Sequence, residues 1–273
     1  MDESESEGSG FIAPGLMITK DEIVRDWLPR YTGTPLEEFS EHILLVNFED
    51  YVEKFAREND CQIRGVGGPM QTAVSKDGIM IINFGIGSPN AATLMDLLSA
   101  VKPKACLFLG KCGGLKKNVV PGDFILPIGA LREGSASSHY FPPEVPALPS
   151  FNLQKTVAQV INKHGREYYT GTVYSTNRRV WEHDEKFRQY LSDVRAIGID
   201  MECSTIFLVG FANHIPKGAL LLVTDTPMVP EGVKTSESDR RVTAEFAALH
   251  LQVGVEALRE LKSSGESVKH LKF

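Results

Sequence analysis

The sequence contains no CxxC pair and no HxH or HExxH spacing, so the usual short zinc-binding patterns are missing and no metal site is expected. No run approaches the ~20 apolar residues that a membrane span requires, so no membrane partner is expected. Basic excess is also lacking: Lys plus Arg number 29 against 35 Asp plus Glu, a formal charge of -6. General nucleic-acid binding needs a basic surface to displace counterions, and this balance argues against it. A local basic pocket for a small phosphorylated ligand remains compatible. The first ten residues, MDESESEGSG, are acidic where a secretory leader is basic and then apolar, so a cytoplasmic location is the expectation.

What is present is an ordinary globular composition: 273 residues, 42% apolar and 23% charged, enough to bury a sizeable core. The four cysteines, Cys61, Cys106, Cys112 and Cys203, read as free thiols of a reducing compartment, and three of them lie in or beside apolar runs. Residues 1–16 are rich in Ser, Glu and Gly and are expected to form a disordered acidic tail, leaving 17–273 as one domain. Thr19 and Glu22 form a capping-box pattern for a helix that Pro29 is expected to stop.

Beyond this point apolar runs alternate with amphipathic segments. Strands are expected over 42–48, 79–84, 105–109, 124–128, 171–175, 196–201 and 219–224. Helical periodicity covers 49–58, 91–101, 153–164, 184–192, 205–212 and 239–262. Repeated strand–helix alternation predicts an α/β fold, a single domain with a central β-sheet flanked by helices on both faces. Ligands of such sheets bind beyond the carboxyl ends of the strands, so the residues just after each apolar run are the informative ones.

Four such places stand out. GIGSPN, 85–90, only partly fits GxGxxG because Asn90 takes the third glycine's place; a tight turn whose backbone approaches a ligand is the better reading, with Gly87 at its centre. LGKCGGL is not a P-loop, since Ala105 and Cys112 stand where Gly and Ser or Thr are required. Its glycines, Gly110 among them, suggest a loop that allows close approach. Glu202 and Asp225 end apolar strands, where a carboxylate is costly unless paired or functional; either could equally cap the next turn. STNRRVWEHDEKF, 175–187, offers Arg178 and Arg179 for phosphate and Trp181 as a stacking face, or is simply a solvated loop.

GIGSPN, LGKCGGL, GIDMECST and LLVTDTP occur in this order, and as a set they resemble the nucleoside phosphorylase and nucleosidase superfamily, in its hexameric purine nucleoside and uridine phosphorylase branch. YFPPEVPALP, GTVYSTNRRVWEH, FANHIPKGALLLVTDTPMVPEGVKT and the final GESVKHLKF resemble the nucleosidases of that superfamily that act on AMP. The resemblance runs from about Ile18 onward and corresponds to a compact form without an additional N-terminal domain. It implies a nucleoside phosphorylase-like domain with a mixed sheet, a homohexamer and no organic cofactor. It implies hydrolysis of AMP to adenine and ribose 5-phosphate; the alternative is a phosphorylase or nucleosidase acting on an unphosphorylated nucleoside. A catalytically silent nucleotide-binding protein is a third reading, against which the retention of both acids argues.

By the same resemblance, Glu202 accepts hydrogen bonds from the ribose hydroxyls, Met201 packs on the sugar, and Asp225 is the general acid at the purine N7. Phe108 and Lys111 stand where the phosphorylases carry an Arg and a Ser for inorganic phosphate, and a second phosphate-binding Arg has no clear counterpart in LLVNFEDYVEKF. Each charge-assisted bond is worth ~1.5–3 kcal/mol, so their loss favours water as nucleophile, although Lys111 keeps one cation there. Trp181 is the candidate for stacking on the base, and Arg178, Arg179 and Lys234 are the candidates for the 5′-phosphate.

Overall fold

Strand periodicity decides which face each apolar residue serves. In the computed structural model, which describes residues 18–265, β1 (His42–Val46) sends Ile43 and Leu45 into one core and Leu44 and Val46 into another. β4 (Ile79–Asn83) repeats this, with Met80 and Ile82 on one side and Ile79 and Ile81 on the other. Both strands are nearly continuous apolar runs because both faces are covered. The first core packs beneath α1 (Lys20–Thr32), α3 (Ser88–Leu97) and α6 (Cys203–Ala212). The second packs beneath α2 (Glu49–Glu58), α4 (Phe151–Lys163) and α7 (Ser236–Ser264). A third, smaller cluster gathers around α5 (Glu185–Asp193).

The remaining strands are β2 (Ile63–Arg64), β3 (Gln71–Val74), β5 (Ala105–Gly114), β6 (Phe124–Arg132), β7 (Tyr168–Ser175), β8 (Gly198–Asp200) and β9 (Lys217–Asp225). They form one mixed nine-stranded sheet in the order β2-β3-β4-β1-β5-β8-β7-β6-β9. β9 also pairs in parallel with β5, so the last five strands of that order close into a ring. β5 is the shared seam: it pairs with β1 over 105–109, with β9 along most of its length, and with β8 at Gly113 and Gly114.

The expected α/β architecture with helices on both faces is the one observed. Three local expectations are corrected. Thr19 and Glu22 form the capping box, but Pro29 does not stop α1. The helix runs on to Thr32, and Gly33, at φ 65°, caps it by donating to the Pro29 carbonyl at 2.8 Å. Pro29 lies in the last turn, where a proline removes only one helical N–H. GKCGG is not a loop but the second half of β5. Its glycines answer to crowding: a Cβ on Gly110 would lie 2.5 Å from the Phe108 ring, and one on Gly113 would lie 2.9 Å from Pro227. The antiparallel β2–β3 pair was not expected at all. The acidic tail over 1–16 and all but the first residue of GESVKHLKF lie outside the described residues.

Cys106, Cys112 and Cys203 are buried free thiols, as expected, and Cys61 is half-buried. No helix among the described residues is long and apolar enough to cross a membrane.

One buried charge serves no evident site. Lys217, at the start of β9, is 4% exposed and pairs with no carboxylate among the described residues; its ammonium lies 5.4 Å from the Phe211 ring. Burial pushes its pKa down from 10.5 to about 8. The unfolded chain therefore holds more protons between those values, and stability rises with pH across that window. Lys217→Met removes a cost on the order of 3 kcal/mol at neutral pH, and should raise Tm at pH 7 by roughly 5 °C or more. Thermal unfolding at pH 7 and pH 10 checks this: the gain shrinks at the higher pH, and an unchanged or lower Tm at pH 7 refutes it.

Candidate active site

The carboxyl ends of β1, β7, β8 and β9 converge with the carboxyl half of β5 on one cleft. Asn47 and Phe48 follow β1, Thr176 to Trp181 follow β7, Met201 and Glu202 follow β8, and Asp225 ends β9. This is where an open α/β sheet presents its strand ends, and Lys111 of β5, just before the bulge between Cys112 and Gly113, lines the same place.

Glu202 caps the start of α6 and is 2% exposed. Its Oε1 accepts from the Gly87 N–H at 2.7 Å and its Oε2 from the Met201 N–H at 3.2 Å; the Asn47 side chain also hydrogen-bonds it. Gly87, at φ 100°, thus serves through its backbone, holding the carboxylate rather than lining the cleft. Behind Glu202 lies Asp200, which accepts from Ser175 Oγ at 2.6 Å and from the Cys203 and Glu202 N–H groups at 2.7 and 3.2 Å. Burial and the neighbouring Asp200 charge raise the Glu202 pKa.

Asp225 is 9% exposed, and its Oδ1 accepts from Thr224 Oγ1 at 2.8 Å. Lys234 Nζ lies 3.5 Å from the same oxygen. Burial raises the Asp225 pKa against the lowering pull of that ammonium. A carboxyl group held this way can carry a proton into a reaction.

Lys111 is nearly enclosed, with its side chain 5% exposed. Its ammonium donates to Thr243 Oγ1 at 2.7 Å, lies 4.3 Å from the Phe48 ring centre, and stands 3.8 Å from Asp239 Oδ1. Asp239 Oδ1 is also 3.6 Å from Lys234 Nζ. Phe108 is wholly buried against Phe84 and contributes nothing polar.

Of the residues picked out in the sequence, Asp225, Glu202, Met201, Lys111, Arg178, Arg179, Trp181 and Lys234 line the cleft together. Gly110 does not: it is buried in β5, packed toward Phe108 and Leu221, because crowding across the sheet set its identity. The three basic candidates differ in freedom. Arg178 pairs with Asp184 at 2.8 Å and lies over Phe187. Lys234 is held between Asp225 and Asp239. Arg179 is exposed and makes no ion pair among the described residues. Trp181 is 4% exposed and meets Phe187 edge-on at 5.5 Å, which fixes its ring in the wall. Asp239, Asn47 and Phe48 were not picked out. Asp239 reads from sequence as an ordinary acid in the first turn of a helix, favoured there by the helix dipole.

A family model described as "Phosphorylase superfamily" matches residues 41–259. The AMP nucleosidase of Escherichia coli K12 is 30% identical over 90% of this chain and 60% of its own length, so the chain spans about three fifths of that relative. The crystal structure of AMP nucleosidase from Bacteroides thetaiotaomicron VPI-5482 is 46% identical, covers 91% of this chain and 100% of its own, and superposes with a TM-score of 0.80. Uridine phosphorylase from Vibrio fischeri ES114 shares the fold at 22% identity, with a TM-score of 0.71 over 82% of this chain and 93% of its own.

Proposed function

Because the chain belongs to the phosphorylase superfamily, we propose that it hydrolyses the N-glycosidic bond of AMP, giving adenine and ribose 5-phosphate with water as nucleophile. The observation that carries this reading is the pair of buried acids in one cleft, Glu202 and Asp225, beside a position where phosphorylases anchor phosphate and this chain has Phe108 and Lys111.

Breaking the bond between C1′ and N9 leaves positive charge on the ribose and sends the electron pair into the purine. Asp225 delivers its proton to N7, so adenine leaves neutral. Glu202, fixed by the Gly87 and Met201 amides, accepts the ribose hydroxyls and steadies the charge growing on the ring. Met201 packs on the sugar and Trp181 offers its ring to the base. The water oxygen bonds to C1′ and its proton passes to solvent. Asp239 already occupies the space between Lys111 and Lys234, which supports water over inorganic phosphate in that corner.

Arg179 lines the cleft and makes no ion pair among the described residues, which favours it for the 5′-phosphate. Arg179→Glu should raise KM for AMP by about tenfold or more while leaving adenosine cleavage nearly unchanged. Steady-state kinetics on both substrates test this, and equal effects on the two would sink the assignment. The function itself is tested by product analysis of purified protein with AMP, with and without phosphate. Ribose 5-phosphate and adenine formed without phosphate support hydrolysis. Phosphate-dependent turnover, or preference for adenosine, replaces it with the phosphorylase reading. The resemblance to the hexameric branch further supports a homohexamer, which sedimentation tests, acting in the cytoplasm in purine nucleotide catabolism.

A further inference from the structure

We infer that Asp239 is a built-in anion that closes the corner of the cleft between Lys111 and Lys234 to inorganic phosphate. Its Oδ1 stands 3.8 Å from one ammonium and 3.6 Å from the other. That oxygen is buried, and both ammonium groups stand beyond ordinary hydrogen-bond length from it, so charge is what draws the three together. An ammonium has three donors, and Lys111 spends one on Thr243 Oγ1, at 2.7 Å. The corner therefore keeps more donors than its carboxylate uses.

Two ammonium groups and a hydroxyl around one space are the elements of an oxyanion site. Here a tethered carboxylate fills it. The tether matters because the carboxylate fills the corner without the loss of translational freedom that a dissolved anion incurs. A phosphate dianion entering the corner would also meet the like charge of Asp239 and the dipole of the nearby Asp225 carboxyl. Lys111 cannot swing outward to greet it, since its stem is enclosed and its head is capped by Phe48. The same group that neutralises the lysines thus selects the nucleophile by exclusion.

Replacing the carboxylate should open the site. Phosphate binding to the full-length protein is measured by calorimetry or 31P NMR for wild type, Asp239→Asn, Asp239→Ala and the double variant Asp239→Asn/Lys111→Met. Both single variants are expected to bind inorganic phosphate at least about tenfold tighter than wild type, and the double variant to lose that gain. A phosphate site near Arg179 is common to all four proteins and cancels in the comparison. Equal affinity in wild type and both single variants overturns the inference, as does a gain that survives in the double variant. The inference rests on the reading of water as nucleophile, but binding is read without turnover. A wild-type protein inert toward AMP would remove the nucleosidase reading and leave the phosphate comparison to decide this one.

Discussion

Asp225→Asn should lower kcat for AMP hydrolysis by about 10²–10⁴-fold, the usual worth of a positioned general acid. Asparagine keeps the shape and can still accept from Thr224 Oγ1, but it has no proton to give. The pH profile separates this from a packing defect. Burial raises the Asp225 pKa, so the protonated acid persists above the ordinary carboxylate range. Activity that needs this proton is full below the raised pKa and falls as pH climbs through it. The groups facing Asp225 are Thr224, Lys234 and Glu182; the Lys234 ammonium pulls the limb toward lower pH and Glu182 pushes it higher. In Asp225→Asn that limb should vanish along with most of the rate. A variant within tenfold of wild type, or one that keeps the same falling limb, removes Asp225 from the role.

Glu202→Gln should cost about 10²–10³-fold in kcat, with a smaller change in KM for AMP. Two effects combine. The amide cannot ionise to the carboxylate proposed to steady the ribose as the bond to the base breaks. Its NH₂ end also meets a donor, because Gly87 and Met201 both point backbone N–H groups at this side chain. One of those amides then loses its acceptor, which displaces the side chain from its productive pose. Rapid-quench measurement of the chemical step checks the rate, and AMP binding by calorimetry checks that the cleft survives. Loss of binding with an unchanged chemical step would make Glu202 a residue of the scaffold instead. The contrast with Arg179→Glu, expected to act on KM, would separate binding from chemistry within the cleft.

The sheet and most of the cleft were legible because they rest on local patterns. Apolar runs of four or five residues marked the central strands, and the acids after IGIDM and ALLLVT marked two strand ends. What was illegible depends on contacts made only in the folded chain. The glycines of GKCGG read as a loop, yet Gly113 is small because Pro227 lies across from it and Gly114 because Val119 does. β2 and β3 are two and four residues long and half polar, too brief for period-two alternation to register. Asp239 carries an ordinary helix-start pattern; only its approach to Lys111, from a different element, gives it a second meaning. Arg178 and Arg179 are adjacent and alike in sequence, and among the described residues only the Arg178–Asp184 pair tells them apart.

The shared seam of the sheet sets the order in which the molecule can come into being. β5 leaves the ribosome with β1 ready beside it, but its other long neighbour is β9, paired from Cys106 to Lys217 onward. More than a hundred residues of synthesis separate the two edges of one strand. Until β9 arrives, β5 presents an unpaired hydrogen-bonding edge, the kind that templates aggregation. The pairing is also of high sequence separation, which slows folding. The cleft gains Glu202 once β8 and α6 are made, but Asp225 and the Lys234–Asp239 pair come only with β9 and the start of α7. A nascent chain thus lacks Asp225 until 225 of its 273 residues have been made, and the β5 edge stays open over nearly the same interval.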